Sequence, residues 1–139
     1  MKIIRTKLPL YINIALITIF LFIFYNQILL SPNSYIIGGS IDALKSIYSS
    51  VYHIHDKCSF HFTGTNYPYG ENFLFTDCQP AITSLIKITS FIFPSVLSYE
   101  VGIINYFLLL SIFFTSIFLY FILVKYKVNR FFAAFCAFF

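Results

Sequence analysis

Leu8–Leu30 reads LPLYINIALITIFLFIFYNQILL and Val101–Val124 reads VGIINYFLLLSIFFTSIFLYFILV, and neither run carries a charge. A helix rises about 1.5 Å per residue, so about 20 apolar residues cross a hydrocarbon layer about 30 Å thick. Both runs reach that length. The amides Asn13, Asn26 and Gln27 in the first, and Asn105, Ser111, Thr115 and Ser116 in the second, do not line up as a polar stripe. A soluble core helix of this length needs such a stripe facing water. The reading is therefore two transmembrane helices, 8–30 and 101–124.

The charges around these runs set an orientation. Lys2, Arg5 and Lys7 precede the first run, and Lys125, Lys127 and Arg130 follow the second, with no acid in either flank. The segment between them holds Lys45, Lys57 and Lys87 against all five acids of the chain, Asp42, Asp56, Glu71, Asp77 and Glu100. By the positive-inside rule both flanks are cytoplasmic and residues 31–100 form an external loop. The N-terminal run is an uncleaved signal anchor, because it exceeds the h-region of a secretory signal and ends without a small-residue cleavage site. A chain that is 59% hydrophobic, 22% aromatic and 10% charged fits an integral membrane protein. The net charge of +4 sits in two flanks and not along a stripe, which excludes a nucleic-acid footprint. The lipid bilayer is the partner that the composition itself names.

Phe131–Phe139 starts a third apolar run that would rise only about 14 Å, less than half a bilayer. The expectation is the start of a truncated third span, and hence the amino-terminal portion of a longer multi-pass protein. The prenylation-like ending Cys136-Ala137-Phe138-Phe139 closes an apolar run and not an exposed tail, so it reads as chance.

In the loop, Ser31-Pro32-Asn33-Ser34 is turn chemistry. Ser40 is a helix N-cap, and Ile41, Leu44, Tyr48, Val51 and Tyr52 recur at helical spacing, giving an amphipathic helix near 40–53 that lies on the membrane surface or against the rest of the protein. Asn66-Tyr67-Pro68-Tyr69-Gly70 is a turn, and Phe73-Leu74-Phe75 reads as a short extended run. A second amphipathic helix is expected near 81–93, with Thr83, Ser84, Lys87 and Ser90 as its polar stripe. The overall class is an all-α membrane fold with these two helices in the external loop. Glu100 complements the N-terminal dipole of the second span.

Candidate chemistry is confined to the loop. Asp42 can act as base or metal ligand, or merely stabilise the first turn of its helix. Glu71 and Asp77 flank Phe73–Phe75 and suit acid–base work, a divalent cation or turn capping. His53, His55, Asp56 and His61 have ligand chemistry but lack any zinc-site spacing. A Cys58–Cys78 disulfide would close a loop of about 20 residues, contributing roughly 3 kcal/mol in the chain-entropy picture. No P-loop, dinucleotide fingerprint, nucleophile elbow or HExxH occurs.

Gly38-Gly39-Ser40-Ile41-Asp42-Ala43-Leu44-Lys45, then Asn66-Tyr67-Pro68-Tyr69-Gly70-Glu71-Asn72 and Phe75-Thr76-Asp77-Cys78-Gln79-Pro80, resemble the first external loop of large bacterial multi-pass proteins similar to GT-C type glycosyltransferases. Those proteins read Gly-Asp-Gly-Leu-Lys at the first stretch; here Ala43 replaces the second glycine and Ser40-Ile41 is inserted. The resemblance implies an external-face glycosyltransferase with a polyprenyl-phosphate-sugar donor, Asp42 as the loop acid, and a divalent metal ion as a candidate cofactor. The competing expectation is a multi-pass membrane protein without catalysis, a transporter part or an assembly subunit.

Overall fold

The computed structural model describes residues 2–56, 61–63, 68–76 and 79–138. It is predominantly helical: α1 (Lys2–Phe24), α2 (Asn26–Leu30), α3 (Ile41–His55), β1 (His61–Phe62), β2 (Glu71–Asn72), α4 (Pro80–Ile92), α5 (Glu100–Lys125) and α6 (Arg130–Cys136). A six-residue 3₁₀ segment, Pro94–Tyr99, leads into α5. Two helical stretches, Lys7–Phe24 and Pro94–Lys125, are long and apolar enough to cross a membrane. The chain divides into two compact units, one formed by 1–29 with 108–139 and the other by 30–107.

In the first unit α1 and α5 run antiparallel, since Lys7 shares a groove with Val124 while Ile17 shares one with Ser111 and Thr115. Asn13 lies between them with no exposed surface. Its Nδ2 donates to Ser116 Oγ of α5 at 3.0 Å and to the Ala134 carbonyl of α6 at 3.1 Å. Ala133, Ala134 and Ala137 pack on Tyr120, and small side chains there let the α6 backbone come close. Asn129 caps α6 by accepting from the Phe131 and Phe132 amides. A left-handed Lys127 (φ 60°), with the Val128 amide on the Leu123 carbonyl and the Lys127 amide on that of Val124, closes α5 in a Schellman motif.

The first apolar run is interrupted where one continuous helix is expected. α1 ends at Phe24, Tyr25 is a bend, and α2 follows. The backbone ladder survives the bend in part, through Tyr25 to Leu21 and Leu29 to Tyr25, both at 2.9 Å.

The second unit is built on α3 and α4, which pack against each other. Ser40 caps α3 by accepting the Ala43 amide at 3.2 Å. The faces these two helices turn inward are polar. Ser49, Ser50 and His53 of α3 and Thr83 of α4 are buried beside Ile54 and Ile86, while Ile41, Leu44 and Tyr48, and Leu85, Ile88 and Ile92, stand exposed. Lys87 Nζ donates across to the His53 carbonyl at 3.0 Å.

Asn33 explains why α5 begins where it does. Its Nδ2 donates to the Ser98 carbonyl at 3.0 Å and its Oδ1 accepts the Gly102 amide at 2.6 Å. An unbroken α-helix would pair those two backbone groups with each other, so the side chain stands in the i→i−4 ladder at the junction of the 3₁₀ segment with α5. Gly102 permits it, since a Cβ there would lie 2.6 Å from Asn33 Oδ1. Asn105, fully buried, donates to the carbonyls of Pro32 and Tyr35, both at 2.7 Å.

Phe73–Phe75 corrects the extended reading: it is a 3₁₀ turn. Asn72 Oδ1 accepts the Leu74 amide at 3.0 Å, a local bond that draws the backbone away from strand pairing. Just before it, β1 and β2 pair antiparallel, Phe62 opposite Glu71, and Gly70 supplies the positive φ of 65° that the preceding turn needs.

Two measurements test this packing. Asn13→Ala should lower thermal stability by about 1–3 kcal/mol, because Ser116 and the Ala134 carbonyl lose a buried partner. In a double-mutant cycle with Ser116→Ala the two losses should fall short of additivity; strict additivity would refute the shared bond. Gly102→Ala should cost a similar ~1–3 kcal/mol by displacing Asn33, and Asn33→Ala should remove most of that penalty in the double variant.

Candidate functional site

The candidate residues that are described lie in the second unit. The last two turns of α3 line a groove of about 380 Å³ with Tyr48, Val51, Tyr52, His55 and Asp56. The spacing explains the lining, since residues three and four apart on a helix share a face. The Tyr48 and Tyr52 rings lie 6.1 Å apart at 45°, and Tyr52 Oη hydrogen-bonds Thr63 Oγ1 at 2.8 Å.

At the end of this groove His55 Nε2 meets Glu100 Oε2 at 2.9 Å. The imidazole is half exposed, while the Glu100 carboxylate is largely covered. A covered carboxylate on one ring nitrogen fixes the orientation of the imidazole. This pairing joins residues 45 positions apart, and the sequence reading assigned Glu100 only to the helix dipole. No local signal connects the two positions.

The loop acids are dispersed. Asp42 stands exposed in the first turn of α3, at the opposite end from His55. Thirteen residues of helix separate them by about 20 Å, too far for both to act on one atom. Glu71 is half-buried in β2. Asp77, Cys58 and Cys78 lie outside the described residues, so the proposed pairing of the cysteines does too; Cys136 is a free, half-buried thiol. The histidines part as well: His53 is buried in the α3–α4 interface, His55 is on Glu100, and His61 is in β1. Among the described residues, no three His, Cys, Asp or Glu side chains are grouped to hold a metal ion.

Burial, with a smaller contribution from the Lys87 cation, pushes the His53 imidazole down from 6.5 to about 4, against an opposing pull from Asp56. Below pH 6.5 the unfolded chain therefore takes up a proton that the folded unit resists. Stability from this residue is fully present above pH 6.5 and is lost as pH falls towards 4. Thermal or urea unfolding should show a loss of up to ~3 kcal/mol across that window. His53→Gln should flatten the profile; an unchanged slope would remove His53 as its source.

With this geometry in place, the comparison with known proteins is brief. No curated protein and no solved structure matches the chain. Residues 14–139 match a family described as a domain of unknown function, DUF6311. The match takes in all of α2–α6 and the second half of α1, so the chain belongs to the DUF6311 family.

Proposed function

We propose that the chain is embedded in a membrane through α1 and α5, with both basic flanks cytoplasmic, and forms part of a GT-C-like glycosyltransferase that uses a polyprenyl-phosphate-sugar donor. Support for embedding comes from the packing. Only 22% and 17% of the two most apolar windows are buried, so most of their apolar side chains face outward. What those helices bury includes Asn13, Asn105 and Ser116. Water would reward the reverse arrangement, whereas hydrocarbon rewards this one, because the Asn13 and Asn105 amides and the Ser116 hydroxyl donate inward to partners they could not find in lipid. α3 and α4 repeat the pattern on a smaller scale, as helices lying in an interface do. The 13 residues of α4 rise about 20 Å, too short to span.

The observation that carries the catalytic reading is Asp42, exposed on the first turn of an amphipathic helix that follows the first apolar helix and precedes the second. The GT-C resemblance asks for an acid in that setting. Asp42 then serves as the base that takes the proton from the acceptor hydroxyl as it attacks the donor's anomeric carbon, with the polyprenyl phosphate as leaving group. The groove, which runs from about 9 Å to about 20 Å along the helix from Asp42, holds a remote part of the acceptor, its tyrosine rings offering stacking faces and Asp56 and His55 offering hydrogen bonds.

The test uses the full gene product in isolated membranes, following label from a polyprenyl-phosphate sugar into glycan. Asp42→Asn should lower kcat by about 10²–10⁴-fold at an unchanged membrane level. His55→Ala should mainly raise KM. Unchanged transfer in Asp42→Asn removes Asp42 from the mechanism. No transfer by the wild type with any such donor leaves the non-catalytic membrane protein as the reading.

A further inference from the structure

We propose that the first unit holds a bound anionic phospholipid, its phosphate seated between Lys7 and Arg130. The two cations come from different elements, the start of the apolar part of α1 and the first residue of α6, and they line one groove of about 420 Å³. Its remaining walls are apolar or aromatic and include Leu10, Phe121 and Val124. Tyr11 lines the same groove and is 58% exposed, its ring placed as interfacial tyrosines are.

Each part of this lining narrows the ligand. A free phosphate would complement the positive charge but leave the apolar walls wet. A neutral lipid would cover the walls and bring no negative charge to the cations. A phospholipid with a net negative headgroup matches both, and a basic pocket between membrane helices at the cytoplasmic end is where such lipids bind. The unit's field favours it as well. Residues 1–29 and 108–139 carry Lys2, Arg5, Lys7, Lys125, Lys127 and Arg130 and not one acidic side chain. An arginine can grip two phosphate oxygens at once, and the lysine adds a mobile point charge.

The assignment rests on the membrane-embedded reading of α1 and α5, not on glycosyl transfer. The experiment is native mass spectrometry of the full chain in detergent, titrated separately with phosphatidylglycerol, phosphatidylcholine and inorganic phosphate. The wild type should retain one phosphatidylglycerol in preference to phosphatidylcholine. Lys7→Gln with Arg130→Gln should weaken that lipid by about 25-fold, roughly fivefold per cation, and leave phosphatidylcholine unchanged. Lys125→Gln with Lys127→Gln removes equal charge outside the groove and should have little effect. Equal losses in the two double variants would reduce the site to a diffuse basic field and overturn the proposal. So would displacement of the lipid by inorganic phosphate, which would make the site one for a free anion. Lys7→Gln alone, at an exposed side chain, repeats the test if the double variant unfolds. A chain that stays monodisperse without detergent would instead defeat the embedded reading itself.

Discussion

The amide of Asn13 is enclosed by apolar helices, with bonds to α5 and α6. Such an amide fixes a register that apolar contacts cannot. Leucines and phenylalanines tolerate sliding by a turn with little change in contact, whereas Asn13 meets Ser116 and the Ala134 carbonyl in only one alignment of the three helices. Because α5 ends in a tight Schellman turn, α6 has little freedom once α5 is placed. The groove bounded by Lys7 and Arg130 is a by-product of that alignment, since its two cations belong to α1 and α6.

The second unit uses the same logic without needing long helices. Asn33 and Asn105 tie residues 32–35 to the start of α5, and Lys87 ties α4 to the backbone of α3. Each bond runs from a side-chain amide or ammonium to a main-chain group, and hence depends on backbone position more than on a neighbour's identity. With Ser49, Ser50, His53 and Thr83 turned inward, α3 and α4 present Ile41, Leu44, Leu85, Ile88 and Ile92 outward. In water exposed apolar side chains of this kind would be a liability. Against an interface they are the source of affinity.

Reading the chain from its sequence succeeded where the signal was long and local. The 3.6-residue spacing of Ile41, Leu44, Tyr48 and Val51 and the hydroxyl of Ser40 marked α3, and the uncharged run after Glu100 marked α5. It failed where a short or distant bond decides the geometry. Hydropathy is blind to the bend at Tyr25, and Asn72 outweighs the strand propensity of Phe73-Leu74-Phe75 with one side-chain bond to Leu74. Periodicity grouped Thr83, Ser84, Lys87 and Ser90 on one face, but the side of a helix that counts as inside depends on the surrounding medium. The candidate site was less legible than the fold: Asp42 and His55 were visible as chemistry, while the Glu100 carboxylate became a partner only through tertiary structure.

The spacing along α3 constrains any mechanism built on this unit. Asp42 and His55 lie at the two ends of one rigid rod, α3, and a distance of about 20 Å cannot close through side-chain motion. A single small substrate would engage one end or the other. On the proposed glycosyl transfer, a long acceptor such as an oligosaccharide or a lipid-linked chain would engage both, with a reacting hydroxyl near Asp42 and distant residues stacked on Tyr48 and Tyr52. Binding energy collected at the remote end then serves orientation at the reacting end. On that argument the length of the acceptor, more than the identity of its terminal unit, governs how well this helix uses both of its ends.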